Sequence, residues 1–273
     1  MTKDVIISKV QNFGKQTASV NDVLAVEEPL EISVSANGET TQLSVTMRTP
    51  GNDGELATGF LFTEGIILSA NDLNNPPHQS MGENQITVRL KPGASHDLQK
   101  VKRNFYTTSS CGVCGKESIE AIMQVCRITD RRKDAKVNMQ HIFTLPDKLR
   151  AAQETFNSTG GIHASALFDF QGELISLRED VGRHNALDKL IGAELLKSEG
   201  ETFFLQDRIL LLSGRASFEL IQKAAMAGIP VVCAIGAPSS LAVETAEKFG
   251  ITLIGFLKNG NANIYSGADR VKF

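Results

Sequence analysis

The second half of the chain alternates short apolar runs with amphipathic stretches of helical length, and this rhythm constrains the fold more than any other feature. It predicts a strand at 208–213, a helix at 215–227, a strand at 230–235, a helix at 239–249 and a strand at 251–257. Pro238 falls in the first turn of the last helix and Gly250 just past its end, the asymmetry expected of helix termini. Strands separated by helices of this length imply parallel pairing through crossover connections, hence a layered α/β sheet. Two further strands, at 163–169 and 173–177, are joined by Asp169-Phe170-Gln171-Gly172, and a helix follows at about 181–198 with Leu187, Leu190, Ile191 and Leu195 on one side. In such sheets the loops at the carboxyl ends of the strands share one edge, where helix N-termini present free N–H groups. Here those loops hold Ser213-Gly214-Arg215, Gly236-Ala237-Pro238-Ser239-Ser240 and Lys258-Asn259-Gly260-Asn261. Glu179-Asp180-Val181-Gly182-Arg183-His184 joins them if strand 173–177 runs in the same direction. Small residues, hydroxyls and cations at helix starts suit a phosphate-bearing ligand, although each piece alone is equally a structural turn.

The first third reads as β-rich. Leu30, Ile32 and Val34 alternate with polar neighbours, as do Leu43, Val45 and Met47, and Asn37-Gly38 between them is a hairpin signal because both residues accept positive φ. A short helix is expected near Glu55–Leu61, a loop over 69–84, and one more strand through Ile86, Val88 and Leu90. Residues 94–110 are polar and irregular. From Gly115 a helix is expected, with Ile119, Ile122, Met123 and Cys126 on one face, running into a charged segment with Arg127, Arg131, Arg132, Lys133 and Lys136 that reads as a solvated linker because Asp130 and Asp134 interrupt it. The expected organisation is therefore a β-rich N-terminal domain over 1–110, a Cys-rich loop, helix and linker over 111–136, and an α/β domain over 137–273, α+β overall.

Hydrophobic residues make up 41% and charged residues 22% of the 273 positions, which excludes a disordered chain. A formal net charge of −3 does not point to nucleic acid. No apolar stretch approaches the roughly 18 residues needed to span a bilayer, so no membrane partner is expected. The first residues contain no signal-peptide pattern, and four cysteines are too few for a disulfide scaffold of this size; a reducing cytoplasm fits them.

The sharpest local motif is Ser109-Ser110-Cys111-Gly112-Val113-Cys114-Gly115-Lys116. Two thiols at the mouth of a predicted helix, beside Lys116, sit where negative charge is stabilised, which favours the thiolate. Such a pair could carry persulfide sulfur, form a reversible disulfide or ligate a metal, or could simply be packing cysteines. A structural zinc needs about four ligands and only two arrive locally. Cys126 on its helix face and Cys233 within Ile229-Pro230-Val231-Val232-Cys233-Ala234-Ile235 read as inert core. Cys111 is the better nucleophile because it lies just ahead of the helix.

Two polar constellations contain histidine: Thr159-Gly160-Gly161-Ile162-His163-Ala164-Ser165 and Glu179-Asp180-Val181-Gly182-Arg183-His184-Asn185. His163 heads an apolar strand and reads as structural. His184, near a helix start beside Arg183, is balanced between a structural and a ligand-binding role. Asp180 could equally be the helix N-cap. His78, His96 and His141 lie in loop or linker stretches and carry no signal. The His-x-Glu and Pro-Cys-x-x-Cys pairing of zinc deaminases is missing.

These segments stand in an order that resembles the FdhD family of formate dehydrogenase accessory sulfurtransferases. The matching residues are Ser110–Gly115, Thr159–His163, Glu179–Lys189, Ser213–Glu219, Ser239–Glu244 and Ile251–Phe256. The resemblance spans nearly the whole chain and is weakest at the N-terminus. It implies that a cysteine desulfurase loads sulfur onto Cys111, with Cys114 as its loop partner. The sulfur would then pass to a molybdenum or tungsten bis-pterin guanine dinucleotide, Mo-bis(molybdopterin guanine dinucleotide) in the molybdenum case, before insertion into the formate dehydrogenase catalytic subunit. The metal complex would be a bound substrate, with no intrinsic metal. The family's binding segment corresponds to Phe256-Leu257-Lys258-Asn259-Gly260-Asn261, at the sheet edge already singled out, and the guanine nucleotide portions would also meet the helix starts near Arg215, Ser240 and His184. A homodimer is implied, with a C-terminal domain similar to the cytidine deaminase fold without its zinc ligands. A thiol–disulfide redox protein, a zinc module and a cofactor-holding chaperone that moves no sulfur remain as alternatives.

Overall fold

Alternating apolar residues in the N-terminal third fold into strands as expected. The computed structural model describes residues 1–11, 16–75, 84–94, 136–198, 200 and 205–273. Cys111, Cys114, Cys126 and the helix expected from Gly115 lie outside these. Strands β1 (Thr2–Gln11) and β2 (Gln16–Ala25), which the sequence pattern does not reveal, pair as an antiparallel ribbon. Strands β3 (Glu28–Ala36) and β4 (Glu39–Arg48) form the predicted hairpin, and its turn residues Asn37 and Gly38 have φ of 52° and 84°. Helix α1 (Asp53–Thr63) is longer than the stretch expected. Strand β5 (Gln85–Arg89) then pairs parallel to β3, in the order β4-β3-β5.

A short strand β6 (Val137–Asn138) and three helices follow: α2 (Met139–Ile142), α3 (Leu145–Ala152) and α4 (Glu154–Thr159). The sequence pattern predicts no element in this segment. The C-terminal unit comprises β7 (His163–Phe168), β8 (Leu174–Asp180), α5 (Arg183–Leu195), β9 (Ile209–Leu212), α6 (Phe218–Met226), β10 (Val231–Ala234), α7 (Ser240–Lys248), β11 (Thr252–Lys258) and β12 (Asn261–Ser266). A final strand β13 (Val271–Lys272) pairs parallel to β6. The chain is thus mixed α/β.

The main sheet has six strands in the order β12-β11-β10-β9-β7-β8. Its β9-β10-β11 segment is parallel, as the alternation predicts. The sheet as a whole is mixed, because β7 runs antiparallel to both β8 and β9, and β12 antiparallel to β11. Two reversals cancel, so β8 runs in the same direction as β9. The loop after β8 therefore opens on the same edge as the loops after β9, β10 and β11.

Two helix starts differ from expectation. Pro238 precedes the cap of α7 instead of occupying its first turn; Ser239 is the cap, its Oγ accepting from Ala242 N at 3.2 Å. Asp180 is the last residue of β8, and Gly182 caps α5. Asp180 cannot cap because its buried carboxylate is committed elsewhere: it accepts from Gly182 N at 2.8 Å and Thr49 N at 3.1 Å and pairs with Lys189 Nζ at 2.7 Å.

The three-stranded and six-stranded sheets contribute to one hydrophobic cluster that includes Leu30, Val34, Leu56, Leu61, Leu187, Leu190, Ile191 and Leu210. Ile142, Leu149, Phe168, Ile209, Leu211 and Cys233 fill a second cluster. Because successive strand residues point to opposite faces, Leu210 and Leu211 fall in different clusters, and the six-stranded sheet is covered on both sides. Helices α1 and α5 cross at two glycines: a Cβ on Gly59 would lie 1.9 Å from Asp188 O, and one on Gly192 would lie 1.9 Å from Glu55 O. Beside the crossing, buried Lys223 Nζ bonds Thr63 Oγ1 at 2.9 Å and both carboxylate oxygens of Asp188 at 2.9 and 3.0 Å. Burial opposes the Lys223 charge, but Asp188 and Glu64 outweigh it and hold the ammonium above its ordinary range. Among the described residues no helix is long and apolar enough to cross a membrane.

Candidate functional site at the carboxyl edge of the sheet

The loops leaving β9, β10 and β11 are tied to one another by backbone hydrogen bonds beyond the ends of the strands. Gly236 N donates to Gly214 O at 2.9 Å, Ala216 N to Ala237 O at 3.2 Å, Ser239 N to Ala216 O at 3.0 Å, and Phe256 N to Gly236 O at 3.0 Å. Such pairing holds the helix starts of α6 and α7 in fixed register. It also demands small residues: a Cβ on Gly236 would sit 3.0 Å from Gly214 O, and one on Gly255 2.9 Å from Pro238 Cδ.

From the other side, the loop after β8 is anchored to the N-terminal sheet. Asn185 Nδ2 donates to Met47 O at 2.8 Å and Asp180 Oδ1 at 3.2 Å, and Lys189 Nζ donates to Thr49 O at 2.7 Å. These contacts present Arg183 and His184 to the edge. Glu179, in the same motif, has a separate structural task, since its carboxylate accepts from Thr155 N and Phe156 N, both at 2.9 Å, and so closes the start of α4.

His184 Nε2 stands 3.4 Å from Ser217 Oγ and 3.9 Å from Glu219 Oε2. Burial lowers its pKa to about 4, with Arg183 and Lys223 adding to the effect and Glu219 opposing it. At neutral pH the ring is uncharged, and the Glu219 contact is not an ion pair. His163, at the start of β7, is likewise lowered by burial and then by Arg183, against the opposing charge of Asp180. Its ring lies over Gly214, where an added Cβ would be 3.5 Å from Nδ1. Burial would raise the Glu219 carboxyl, yet its own backbone N–H, the Ser217 hydroxyl, His184 and Arg183 together lower it. Two neutral imidazoles, a guanidinium and a carboxylate thus meet at the starts of α5 and α6.

Of the residues singled out from the sequence, Arg215 and Ser240 lie exposed on this edge, at the loop after β9 and the first position of α7. Phe256 is 40% exposed and adopts φ of 52°, a left-handed conformation unusual for a bulky side chain, at a register irregularity between Gly255 and Lys258. Lys258, Gly260 and Asn261 are exposed. Asn259 and Gly260, with φ of 51° and 70°, make a two-residue hairpin turn between β11 and β12, so the predicted loop is the tip of a hairpin. Leu257 is fully buried, which leaves its backbone alone to face a ligand. The edge thus gathers His184, Arg215, Ser240 and Phe256–Asn261; Cys111 and Cys114 lie outside the described residues. Ser217 and Glu219 lie within a motif but carry no role in the sequence pattern; Ser217 proves to be the cap residue of α6, with no side-chain cap hydrogen bond. Thr49 carries no sequence signal, because its backbone groups and its hydroxyl, which accepts from Val181 N at 3.2 Å, act on partners more than 130 residues away. Cys233 is fully buried and its thiol is pushed up by burial, as expected of an inert core cysteine. Among the described residues no group of three or more His, Cys, Asp or Glu side chains could hold a metal ion.

The chain belongs to the FdhD/NarQ family, whose model matches residues 25–272. It is 50% identical over 257 residues to a protein named sulfur carrier protein FdhD from Mycolicibacterium paratuberculosis, covering 92% of both chains. It is 43% identical over 269 residues to the protein of the same name from Sulfolobus acidocaldarius, covering 98% of both. A candidate formate dehydrogenase accessory protein from Desulfotalea psychrophila, solved by crystallography, superposes with a TM-score of 0.74 over 98% of this chain and 99% of that one, at 22% identity. The last likeness shows the shared fold.

Proposed function

We propose that this protein is a sulfur carrier that takes persulfide sulfur from a cysteine desulfurase and passes it to a molybdenum or tungsten bis-pterin guanine dinucleotide destined for formate dehydrogenase. The observation that carries the reading is the near full-length similarity to proteins named sulfur carrier protein FdhD, in a chain that contains the paired thiols of Ser110-Cys111-Gly112-Val113-Cys114-Gly115. In this reading Cys111 is the nucleophile that holds the sulfur, because thiolates and not thiols exchange sulfur efficiently, and Cys114 supports it. The metal–pterin complex is substrate. Its nucleotide portions meet the strand edge at Phe256–Asn261, Arg215, Ser240 and His184, a placement supported by the convergence of cations and helix starts there. The working unit is a homodimer in the cytoplasm.

Incubation with a cysteine desulfurase and cysteine tests the carrier step. The peptide bearing Cys111 should gain the mass of one sulfur atom, and reductant should remove it. Equal loading and equal restoration of formate dehydrogenase activity by Cys111→Ala would overturn the assignment. A Cys111–Cys114 disulfide at a physiological potential, with no persulfide, would favour redox exchange instead.

A further inference from the structure

The partners of His184 determine which of its ring nitrogens carries the proton. Nε2 faces two oxygens, Ser217 Oγ at 3.4 Å and Glu219 Oε2 at 3.9 Å. A carboxylate only accepts and the serine hydroxyl can accept as well, so a proton on Nε2 serves both contacts. Nε2 is therefore protonated and Nδ1 keeps its lone pair. Among the described residues nothing hydrogen-bonds to Nδ1. Burial and the neighbouring Arg183 and Lys223 charges keep a second proton off the ring down to about pH 4, while 37% of the side chain stays open to solvent. Arg183 beside it can only donate. His184 thus offers the edge an oriented nitrogen acceptor beside the Arg183 guanidinium.

We propose that His184 Nδ1 accepts a hydrogen bond from the 2-amino-4-oxopyrimidine edge that guanine and pterin share, which makes His184 the specificity-determining residue of the strand-edge site. This rests on the reading that the edge binds a pterin guanine dinucleotide. Guanine and pterin present adjacent N–H donors on that edge. Adenine presents a ring-nitrogen lone pair in the corresponding position, which would face the imidazole lone pair, so an acceptor of fixed tautomer excludes it. Ser217 and Glu219 act through His184 as positioning residues.

The test uses the full chain carrying ¹⁵N-labelled histidine, followed by NMR during titration with GDP, ADP, neopterin and pyrophosphate. The free protein should show the Nε2–H tautomer. GDP or neopterin should move the His184 Nδ1 resonance, and ADP and pyrophosphate should not. A response to GDP alone assigns the contact to guanine; a response to neopterin alone assigns it to the pterin. His184→Phe should reduce the preference for GDP over ADP by about five- to a hundredfold, the range for stranding a buried donor, whereas His184→Gln keeps an acceptor and most of the preference. Ser217→Ala should let the Nδ1–H tautomer appear and weaken GDP binding without weakening ADP. GDP binding by calorimetry with an unmoved Nδ1 resonance, or an equal response to ADP, overturns the inference and leaves the ligand reading intact. If neither GDP nor neopterin binds, the ligand reading and the inference fail together.

Discussion

Replacing Gly59 by alanine sets helix propensity against helix crossing, and the sign of the result discriminates between them. In an isolated helix the change stabilises by about 1 kcal/mol. Here the new methyl would lie 1.9 Å from Asp188 O, 2.7 Å from Asp188 C and 2.9 Å from Gly192 N, all backbone atoms that no rotamer change can move. Restoring ordinary contact requires α1 and α5 to part by more than 1 Å. Overpacking of this kind costs about 1–3 kcal/mol. The displacement also pulls on Asp188, whose carboxylate accepts from Thr63 Oγ1 at 2.8 Å and binds buried Lys223. Loosening a buried ion pair adds to the cost. Overpacking less the propensity gain leaves a net loss of about 0–2 kcal/mol, and the loosened ion pair adds to it. Equilibrium urea denaturation of Gly59→Ala should show a lower midpoint with an unchanged slope. Gly192→Ala should behave alike, since its methyl meets Glu55 O and Gly59 N. The double variant should cost less than the two together, because helices already separated by one methyl leave room for the other. A Gly59→Ala protein as stable as the wild type or more so, or strictly additive losses, would refute this account of the crossing.

Lys223→Met should destabilise by about 3–5 kcal/mol by leaving Asp188 charged and buried, and adding Asp188→Leu should recover most of that in the same denaturation assay. Stability should fall as pH drops from about 6.5 towards 4. The folded pKa of His184 lies below the unfolded value, so its full contribution is present above 6.5 and is lost on acidification; discounted for a ring 37% exposed, the loss is about 1–2 kcal/mol, and His184→Gln should flatten the slope. Phe256→Gly should relieve a left-handed backbone at φ 52° and stabilise by about 0.5–1 kcal/mol, while weakening nucleotide binding measured by calorimetry; destabilisation would mean that the conformation is not strained.

Periodicity made the parallel β9-β10-β11 core legible, because buried strands and their covering helices have distinct and regular hydrophobic spacing. The antiparallel β7 and β12 were harder to read, since direction within a sheet leaves little trace in residue pattern. Asn37-Gly38 was read as a hairpin turn, whereas the same dipeptide at 259–260 was read as a loop, because the short β12 carries no strong alternation to pair with β11. Helices α2 to α4 are short, and much of what orders them comes from distant partners such as Glu179. At the strand edge, His184 and Arg215 are legible from motif and topology, whereas Phe256 enters only through the family resemblance. The Ser217–Glu219 relay depends on side chains brought together by folding. The anchoring role of Thr49 uses its backbone N–H and C=O together with its hydroxyl, which accepts from Val181 N at 3.2 Å, and these partners are distant in sequence.

The bonds from Thr49 to Asp180 and Lys189 bear on how this chain can be dissected in the laboratory. A fragment beginning near residue 136 would keep every residue of the strand edge and still be a poor surrogate for it. It would expose the faces of Leu187, Leu190 and Ile191 that α1 covers, and Lys189 would lose its carbonyl partner. The loop bearing Arg183 and His184 would then be tethered at one side only. Ligand studies on such a truncation would report a loosened edge, so split or trimmed versions of the molecule should retain at least the segment from β3 through α1.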